Sequence, residues 1–247
     1  MKNSYFYNAP SRRETQFGWI YYAISFIALP YGLNWISSVL AVPLTDAKLN
    51  FLYYCINFVA VFWIFYRFLG DSLRFGVRRL FSVLWYAALG YLGAEALDEL
   101  LFYGLVMFMP EYANINDLTI TLMMRAEPLL AIAVVLLVPV AEECCFRGLL
   151  FRNLYGWNAA AAYLISMAAF SAIHVVGYIG SASPLHLLAA FLQYLPAGYC
   201  LAWCYRQTGT IITPILMHTL DNAVAVYTIM RYITCRKSSN YPPILPI

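Results

Sequence analysis

The sequence predicts an all-α fold: a polytopic transmembrane helical bundle with about seven spanning helices. Of its 247 residues, 63% are hydrophobic and only 11% are charged, whereas soluble domains carry about 25% charged residues. The apolar residues fall into successive stretches of about 20 residues, the length that crosses the hydrocarbon core of a bilayer. These observations predict a single transmembrane domain over residues 1–247. The compact chain favours the cell (inner) membrane of a bacterium or archaeon.

Charge and cysteine usage argue against a nucleic-acid-binding protein and against a disulfide-stabilised protein. The formal net charge is only +3, and no basic run is long enough for a nucleic-acid patch, so the expected partner is the lipid bilayer and not a nucleic acid. Most of the cysteines lie in apolar segments, where cysteine usually packs as a small hydrophobe, so we expect no disulfide framework. No matched pair of CxxC motifs points to a metal site. The six cysteines are Cys55, Cys144, Cys145, Cys200, Cys204 and Cys235.

The N-terminal half contains three long apolar stretches. Residues 1–16 form a polar, basic segment and predict no cleavable signal peptide. The third stretch is longer than one bilayer requires, so we expect it to be tilted, broken or re-entrant, and an eighth span hidden in 80–126 is an alternative. Its acidic residues could line a polar cavity or cap a broken helix. The predicted elements are a helix at 17–42 kinked at Pro30, a helix at 51–69, a basic interfacial segment at 71–79, and the stretch 80–109 with Glu95, Asp98 and Glu99.

The C-terminal half contains four further apolar stretches. Pro139 should kink or break the first of them and free a backbone carbonyl. The third begins with Ser183 as a cap and Pro184 at the first helical position, and His186 at this helix start is expected at the membrane interface. The four helices are predicted at 127–153, 158–179, 184–206 and 210–232, the last entered through the turn Thr208-Gly209, and a disordered or interfacial tail follows at 233–247.

Basic residues near the helix ends predict that the N-terminus lies inside. With seven spans, ten lysines and arginines fall on the inside and five on the outside, and cytoplasmic loops carry the excess of these residues. The basic C-terminal end fits this orientation poorly. An eighth span would place it inside instead.

The stretch AEECCFRG at 141–148 puts three charged residues directly after an apolar run. A charge at the centre of a membrane helix costs roughly 2.5–3.5 kcal/mol, so such residues mark candidate functional sites. Glu143 and Arg147 are four residues apart with the glutamate first, which predicts an ion pair. Glu142 points about 100° away and has no basic residue four positions later. One glutamate is therefore held by an arginine, and the other is free to act as a general base.

Two later helices carry polar residues on one face. His174 lies four residues after Phe170, and His218 lies four residues before Asn222, so each pair shares a helix face. Ionisable residues in membrane helices face the bundle interior or a water-filled cavity, so these helices and that of Glu142 predict one polar pocket. Axial depths of about 16 Å for Glu142 and about 14 Å for His218 agree, whereas about 27 Å for His174 fits only a tilted helix.

These residues form three motifs that resemble those of the CPBP family, the CAAX-protease-like and bacteriocin-processing intramembrane proteases. EECCFR at 142–147 is similar to the EExxxR motif of the family, FSAIH at 170–174 to FxxxH, and HTLDN at 218–222 to HxxxN. The three occur in the expected order and on predicted membrane helices, which makes the set far more specific than any one of them. The resemblance covers 142–222, and residues 1–120 carry no motif of the family.

The resemblance implies a glutamate-dependent endopeptidase that hydrolyses a peptide bond in or near the membrane. By this analogy Glu142 and His174 activate a water, and His218 and Asn222 donate hydrogen bonds to the oxyanion. Loss of one oxyanion donor typically costs about 2.7–4 kcal/mol. Glu143, Arg147 and Phe170 are expected to be structural or orienting, Asp221 could orient His218 or be incidental, and the helices at 127–232 form the expected catalytic core.

Three alternatives stay open from the sequence. The resemblance implies no cofactor, but Glu142, His174 and His218 also make a conceivable His₂Glu zinc set, although the HExxH signature is absent. A non-catalytic membrane partner, such as a bacteriocin immunity or maturation protein, could keep the same scaffold. A proton-coupled transporter could use the same ionisable residues, although no internal repeat is evident. A protease would take a prenylated C-terminal peptide, or a secreted or anchored bacterial peptide or protein, at the membrane.

Overall fold

The computed structural model describes residues 5–39 and 44–238, with side chains to residue 231. In this part of the chain every regular element is a helix, apart from one isolated β-bridge between Ile179 and Ala182, so the all-α prediction is confirmed. The last helix includes the start of the predicted tail, and the rest of that tail, 239–247, lies outside the described residues, as do 40–42 of the first predicted helix. The helices are α1 (Arg12–Val39), α2 (Asp46–Ile64), α3 (Tyr66–Arg78), α4 (Leu80–Phe108), α5 (Ile115–Ala126), α6 (Leu129–Tyr155), α7 (Ala159–Val175), α8 (Pro184–Thr208) and α9 (Ile212–Ser238).

Five segments among the described residues are long and apolar enough to cross a membrane. They are α2, α4, α6, α8 and the stretch Ala159–Tyr178, in which a short 3₁₀ turn extends α7. Helices α1 and α9 are 28 and 27 residues long but are not among the five, so the expected count of seven or eight spans is not confirmed. Helix α5 has 12 residues. At 1.5 Å per residue it is about 18 Å long, shorter than the ~30 Å hydrocarbon core, and does not supply an eighth span.

The region between α2 and α4 differs from the sequence prediction in two ways. The stretch 80–109 forms one continuous helix of 29 residues, so the broken and re-entrant alternatives are wrong. Helix α2 spans Asp46–Ile64 and α3 begins at Tyr66, so the helix predicted at 51–69 begins and ends five residues earlier at the same length, and the segment predicted at 71–79 is longer. The boundary residue is Phe65, whose backbone (φ −104°, ψ 19°) departs from helical values. Its ring is fully buried and packs edge-on against Phe68.

Residues 5–14, here called the N-terminal clasp, close one end of the bundle. Ser11 and Glu14 form a capping box at the start of α1: the Ser11 N–H donates to Glu14 Oε2 at 2.6 Å, and the Glu14 N–H donates to Ser11 Oγ at 3.2 Å. The other oxygen of Glu14 accepts from the Phe68 N–H at 3.0 Å. Because α3 has no side-chain cap of its own, one glutamate caps two helices and fixes their relative position.

The clasp also carries an aromatic plug. The buried ring of Phe6 packs into a cluster at the ends of α6 and α8, and the Tyr7 N–H donates to the Gly209 carbonyl at 2.9 Å. Gly209 ends α8 in the left-handed conformation with φ +71°, which glycine adopts without strain. This confirms the turn predicted at Thr208-Gly209. The rings in contact with Phe6 are Phe151, Tyr155 and Tyr205.

Helix α6 is irregular around the sequence EE. It changes to π-helix at Ala133–Leu137 and again at Cys144–Phe151, with the α-helical segment Val138–Glu143 between them. Pro139 lies at the start of that segment and has no N–H to donate, so the predicted disturbance is present as a change of register, while α6 continues without a break. Such π-turns occur frequently at functional sites. Both glutamates therefore lie between two irregular turns.

Candidate active site

The predicted Glu143–Arg147 ion pair is present and holds a third residue. Arg147 Nη1 donates to Glu143 Oε1 at 3.0 Å, and both side chains are 0% exposed. Nδ1 of His218 lies 3.0 Å from the same carboxylate oxygen. A carboxylate accepts, so Nδ1 donates, and the Glu143 carboxylate orients the ring of His218. A structural role for Glu143 was predicted from the sequence, but this bond between α6 and α9 was not.

Phe170 supports the site from within the core. Its ring is 2% exposed, and its centroid lies 4.5 Å from the guanidinium carbon of Arg147. The ring contacts that of His174 at 4.7 Å and meets that of His218 edge-on at 5.7 Å. Phe170 therefore packs against Arg147 and both histidines at once and helps to fix the spacing of the two histidine rings.

His174 has a defined tautomer. Its Nδ1 lies 2.8 Å from the carbonyl oxygen of Phe170, one turn earlier. A carbonyl can only accept, so Nδ1 carries the proton and Nε2 of the neutral ring keeps its lone pair. The ring stacks on Tyr194 of α8 with centroids 4.1 Å apart, and the Tyr194 hydroxyl donates to Asp117 Oδ1 at 2.7 Å. His174 is thus held as a base with one available nitrogen.

A cavity of about 670 Å³ joins the motifs. Its wall includes the residues predicted to act on water and on the oxyanion, so the polar pocket expected from helix depths is present. His174 reaches it despite its greater expected depth. The motif residues in the wall are Glu142, His174, His218, Asp221 and Asn222. We call this space the large cavity.

Glu142 lies between the large cavity and a second, narrow cavity. Its Oε2 is buried and has no hydrogen-bond partner within the described residues, as expected for the glutamate without an arginine. The narrow cavity has a volume of about 40 Å³, and half of its eight wall residues are aromatic. Glu142 is therefore a carboxylate at a junction of polar and apolar space. The aromatic rings are Tyr22, Phe26, Tyr53 and Tyr54.

Asn222 already uses one of its two amide hydrogens. Its Nδ2 donates to the Val134 carbonyl in the first π-turn of α6, at 2.8 Å. A primary amide has two N–H groups. Asn222 can therefore hold α6 and still offer a donor to a ligand in the large cavity.

The large cavity is acidic. Glu95, Asp98 and Glu99 of α4 line it, which decides between the two roles open for them from the sequence. Together with Asp117, Glu142 and Asp221 they make six carboxyl residues in the wall, and the described wall contains no lysine or arginine. Asp98 Oδ1 is buried without a hydrogen-bond partner in the described chain.

Sequence reasoning missed the polar contribution of α5 and α8. Gln193 Oε1 accepts from the Tyr112 hydroxyl at 2.8 Å and from Asn114 Nδ2 at 3.0 Å, and its own amide donates to Asp98 Oδ2 at 3.4 Å. A lone glutamine inside an apolar stretch is itself a signal, because intramembrane polar residues face the bundle interior. Applied to Gln193, that rule would have placed α8 against the cavity.

The zinc alternative has no assembled ligand set among residues 5–39 and 44–238. No group of three His, Cys, Asp or Glu side chains there is arranged to hold a metal ion. Nδ1 of His174 and Nδ1 of His218 are both occupied by protein oxygens, which leaves one ring nitrogen each. That nitrogen is the one a metal ligand would use, since the other ring nitrogen of a metal-bound histidine ordinarily bonds a protein oxygen, so the chelator experiment below distinguishes the metal-free mechanism from zinc on Glu142, His174 and His218.

Comparison with known proteins gives one match. Residues 124–224 match a family model described as Rce1-like, type II CAAX prenyl endopeptidase. The matched segment contains all three motifs, and the match confirms the resemblance to the CPBP family. No curated protein and no solved structure matches the chain. The match and the five apolar helices together indicate a multi-pass integral membrane protein.

Proposed function

We propose that this chain, whose residues 124–224 carry the Rce1-like match of the CPBP protease family, is an intramembrane endopeptidase with Glu142 as the group that activates water. The observation that carries the proposal is Glu142 Oε2, which is buried without a hydrogen-bond partner in the described chain and belongs to a residue in the wall of the cavity that also contains both motif histidines. A carboxylate held in this way has an acceptor oxygen available for a water.

The attack on the peptide uses Glu142 and His174. A water hydrogen-bonded to Glu142 and to Nε2 of His174 gives up one proton to this pair of bases. At the same time its oxygen adds to the scissile carbonyl carbon. The proton then passes to the leaving amine when the tetrahedral intermediate collapses. The Nδ1 bond of His174 to the Phe170 carbonyl supports this role, because it leaves Nε2 as the acceptor.

His218 and Asn222 supply donors for the oxyanion. Glu143 takes the Nδ1 proton of His218 in a hydrogen bond, so donation from Nε2 requires a ring that carries both protons. The neighbouring Glu143 carboxylate balances that positive charge. Asn222 contributes the amide hydrogen that Val134 does not use. Donors fixed before the reaction stabilise the developing charge without reorganisation.

The substrate is a peptide or protein at the membrane, with a prenylated C-terminal peptide and a bacterial secreted or anchored peptide as the two classes. The six carboxyl residues of the large cavity favour lysine or arginine near the scissile bond. The narrow aromatic cavity beside Glu142 favours an apolar group. We place the enzyme in the cell membrane of a bacterium or archaeon.

The test is proteolysis by purified protein in liposomes against a panel of membrane-anchored peptides, with products identified by mass spectrometry. Wild type is compared with Glu142→Gln, which keeps the shape of the side chain but not its basicity. Glu111→Gln is the matched control, because Glu111 is exposed and outside the cavity wall. Wild type and the control are expected to cleave, and Glu142→Gln is expected to lose at least about 10²-fold in rate.

A strong chelator extends the same experiment. Unchanged cleavage with chelator supports the metal-free mechanism, whereas loss that added zinc restores would replace it with the metal mechanism. Equal cleavage by wild type and Glu142→Gln would assign the activity to another residue or to a contaminant. It would remove Glu142 from the proposed mechanism.

A further inference from the structure

The carbonyl of Val134 has lost both of its helical donors. In an α-helix its partner would be the N–H of Val138, but that N–H donates to Ala133, in π register. In π register its partner would be the N–H of residue 139. Residue 139 is proline and has no N–H. The π-turn and Pro139 therefore leave this one carbonyl without a backbone donor.

Asn222 of α9 supplies the missing donor. Its Nδ2 lies 2.8 Å from the Val134 oxygen. Val134, Val138 and Glu142 follow at intervals of four residues and line the same cavity, so the bond is made on the helix face that carries Glu142. In the α-helical segment that follows, the Tyr22 hydroxyl donates to the Ala141 carbonyl, directly before Glu142, at 2.6 Å. Side chains from two other helices thus hold the backbone around Glu142.

We propose that Asn222 is a positioning residue for Glu142: it binds the carbonyl that Pro139 leaves free and thereby fixes the turn that directs the Glu142 carboxylate. This role is separate from donation to an oxyanion, because it uses a different amide hydrogen and exists before substrate binds. It rests on the proposed function only in that Glu142 is the reacting group. It also explains why a proline can be accommodated three residues before the reaction centre.

The two roles of Asn222 make different predictions in a Pro139→Ala background. Alanine restores an N–H that can bind the Val134 carbonyl, so the positioning bond is no longer needed there. We expect Asn222→Ala in the wild-type background to speed amide hydrogen exchange across residues 133–143 about tenfold, since a buried carbonyl is left unsatisfied. In the Pro139→Ala background the same substitution should change exchange less than about twofold.

The measurement is hydrogen exchange by mass spectrometry on the full chain in detergent micelles or nanodiscs, and it requires no substrate. Asn8→Ala is the control, because Asn8 Nδ2 also donates to a helix carbonyl, that of Phe68, at the other end of the bundle. The change in hydrogen exchange caused by Asn8→Ala should be the same in the wild-type and Pro139→Ala backgrounds. If Asn222→Ala does not fold, Asn222→Ser replaces it, since its shorter side chain does not reach Val134.

Cleavage of the peptide panel adds a second readout. For a positioning residue, the fold-loss in kcat caused by Asn222→Ala should shrink at least threefold in the Pro139→Ala background. Equal fold-losses in both backgrounds, together with unchanged exchange in 133–143, would overturn the positioning role and leave an oxyanion donor only. If no peptide is cleaved at all, the exchange result still decides the positioning role, while the proposed function alone loses its support.

Discussion

The two ends of this bundle differ in whether their polar groups have hydrogen-bond partners. At the clasp, Glu14 accepts hydrogen bonds from two backbone N–H groups, and the Asn8 amide donates to the Phe68 carbonyl. At the cavity, carboxylate oxygens are buried without donors. Of the five buried polar side-chain atoms without a partner in the described chain, those of Asp98 and Glu142 belong to the cavity wall, those of Glu143 and Arg147 to the neighbouring ion pair, and only the Tyr205 hydroxyl lies at the clasp.

This difference links the clasp to stability and the cavity to reactivity. Buried polar groups normally find partners, because an unmade hydrogen bond costs about 1–3 kcal/mol. The clasp follows that rule and stabilises the bundle. The cavity departs from it where an unsatisfied carboxylate is useful to bind water or substrate. Changes at the clasp should therefore affect unfolding, changes at the cavity should affect cleavage, and only residues between the two regions should affect both.

Arg147 lies between these regions and should give the largest effect. Arg147→Met leaves the buried Glu143 carboxylate without its cation and removes the bond to the Gly198 carbonyl. We expect a loss of about 3–5 kcal/mol in the free energy of unfolding, together with loss of cleavage because Glu143 no longer holds His218. Denaturant unfolding in micelles and the peptide assay measure the two effects.

The control for Arg147 is Arg74→Met. Arg74 pairs with Asp71 at 3.3 Å, but its side chain is 80% exposed, so this substitution should change stability and cleavage little. An unfolding free energy of Arg147→Met close to that of wild type would contradict this prediction, since it would mean that the buried Glu143–Arg147 pair does not stabilise the bundle.

Glu14→Ala should give the next largest effect, on stability alone. The substitution removes the capping box of α1 and leaves the Phe68 N–H at the start of α3 without its acceptor. We expect a loss of about 2 kcal/mol in unfolding free energy, with kcat of the folded enzyme within twofold of wild type. Glu111→Ala, on the surface, is the matched control. A large drop in kcat with unchanged stability would show that the clasp acts on the site.

Gly209→Ala should give a smaller effect of the same kind. Gly209 has φ +71°, and an added Cβ would meet the Tyr5 carbonyl oxygen at 2.9 Å. We expect a loss of about 1–2 kcal/mol, measured as a lower thermal unfolding midpoint. Gly104→Ala is a control of opposite sign, since Gly104 lies within α4 with open space around it and alanine favours a helix. Equal responses of the two variants would argue against the strained turn.

The sequence predicted the cavity residues better than the clasp, for a physical reason. Charged residues are rare in membrane helices, so Glu142, Glu143 and Arg147 stood out against an apolar background and their i, i+4 spacing predicted the ion pair. The clasp depends on contacts between distant residues, such as Glu14 with Phe68. No local pattern marks Phe68 as the partner. A disturbance of the helix before Glu142 was predicted from Pro139, but its π register and its bond to Asn222 depend on packing between α6 and α9.

Asp98→Asn should have the smallest effect on stability and a selective effect on cleavage. Asp98 Oδ1 is buried without a donor, and Oδ2 accepts from Gln193 at 3.4 Å, so an amide removes an unsatisfied carboxylate and keeps an acceptor. We expect unfolding free energy within about 0.5 kcal/mol of wild type or slightly higher. If the acidic wall binds basic side chains, kcat/KM for lysine-containing peptides should fall about fivefold while neutral peptides are unaffected. An equal fall for both kinds of peptide would mean that Asp98 shapes the cavity and does not select charge.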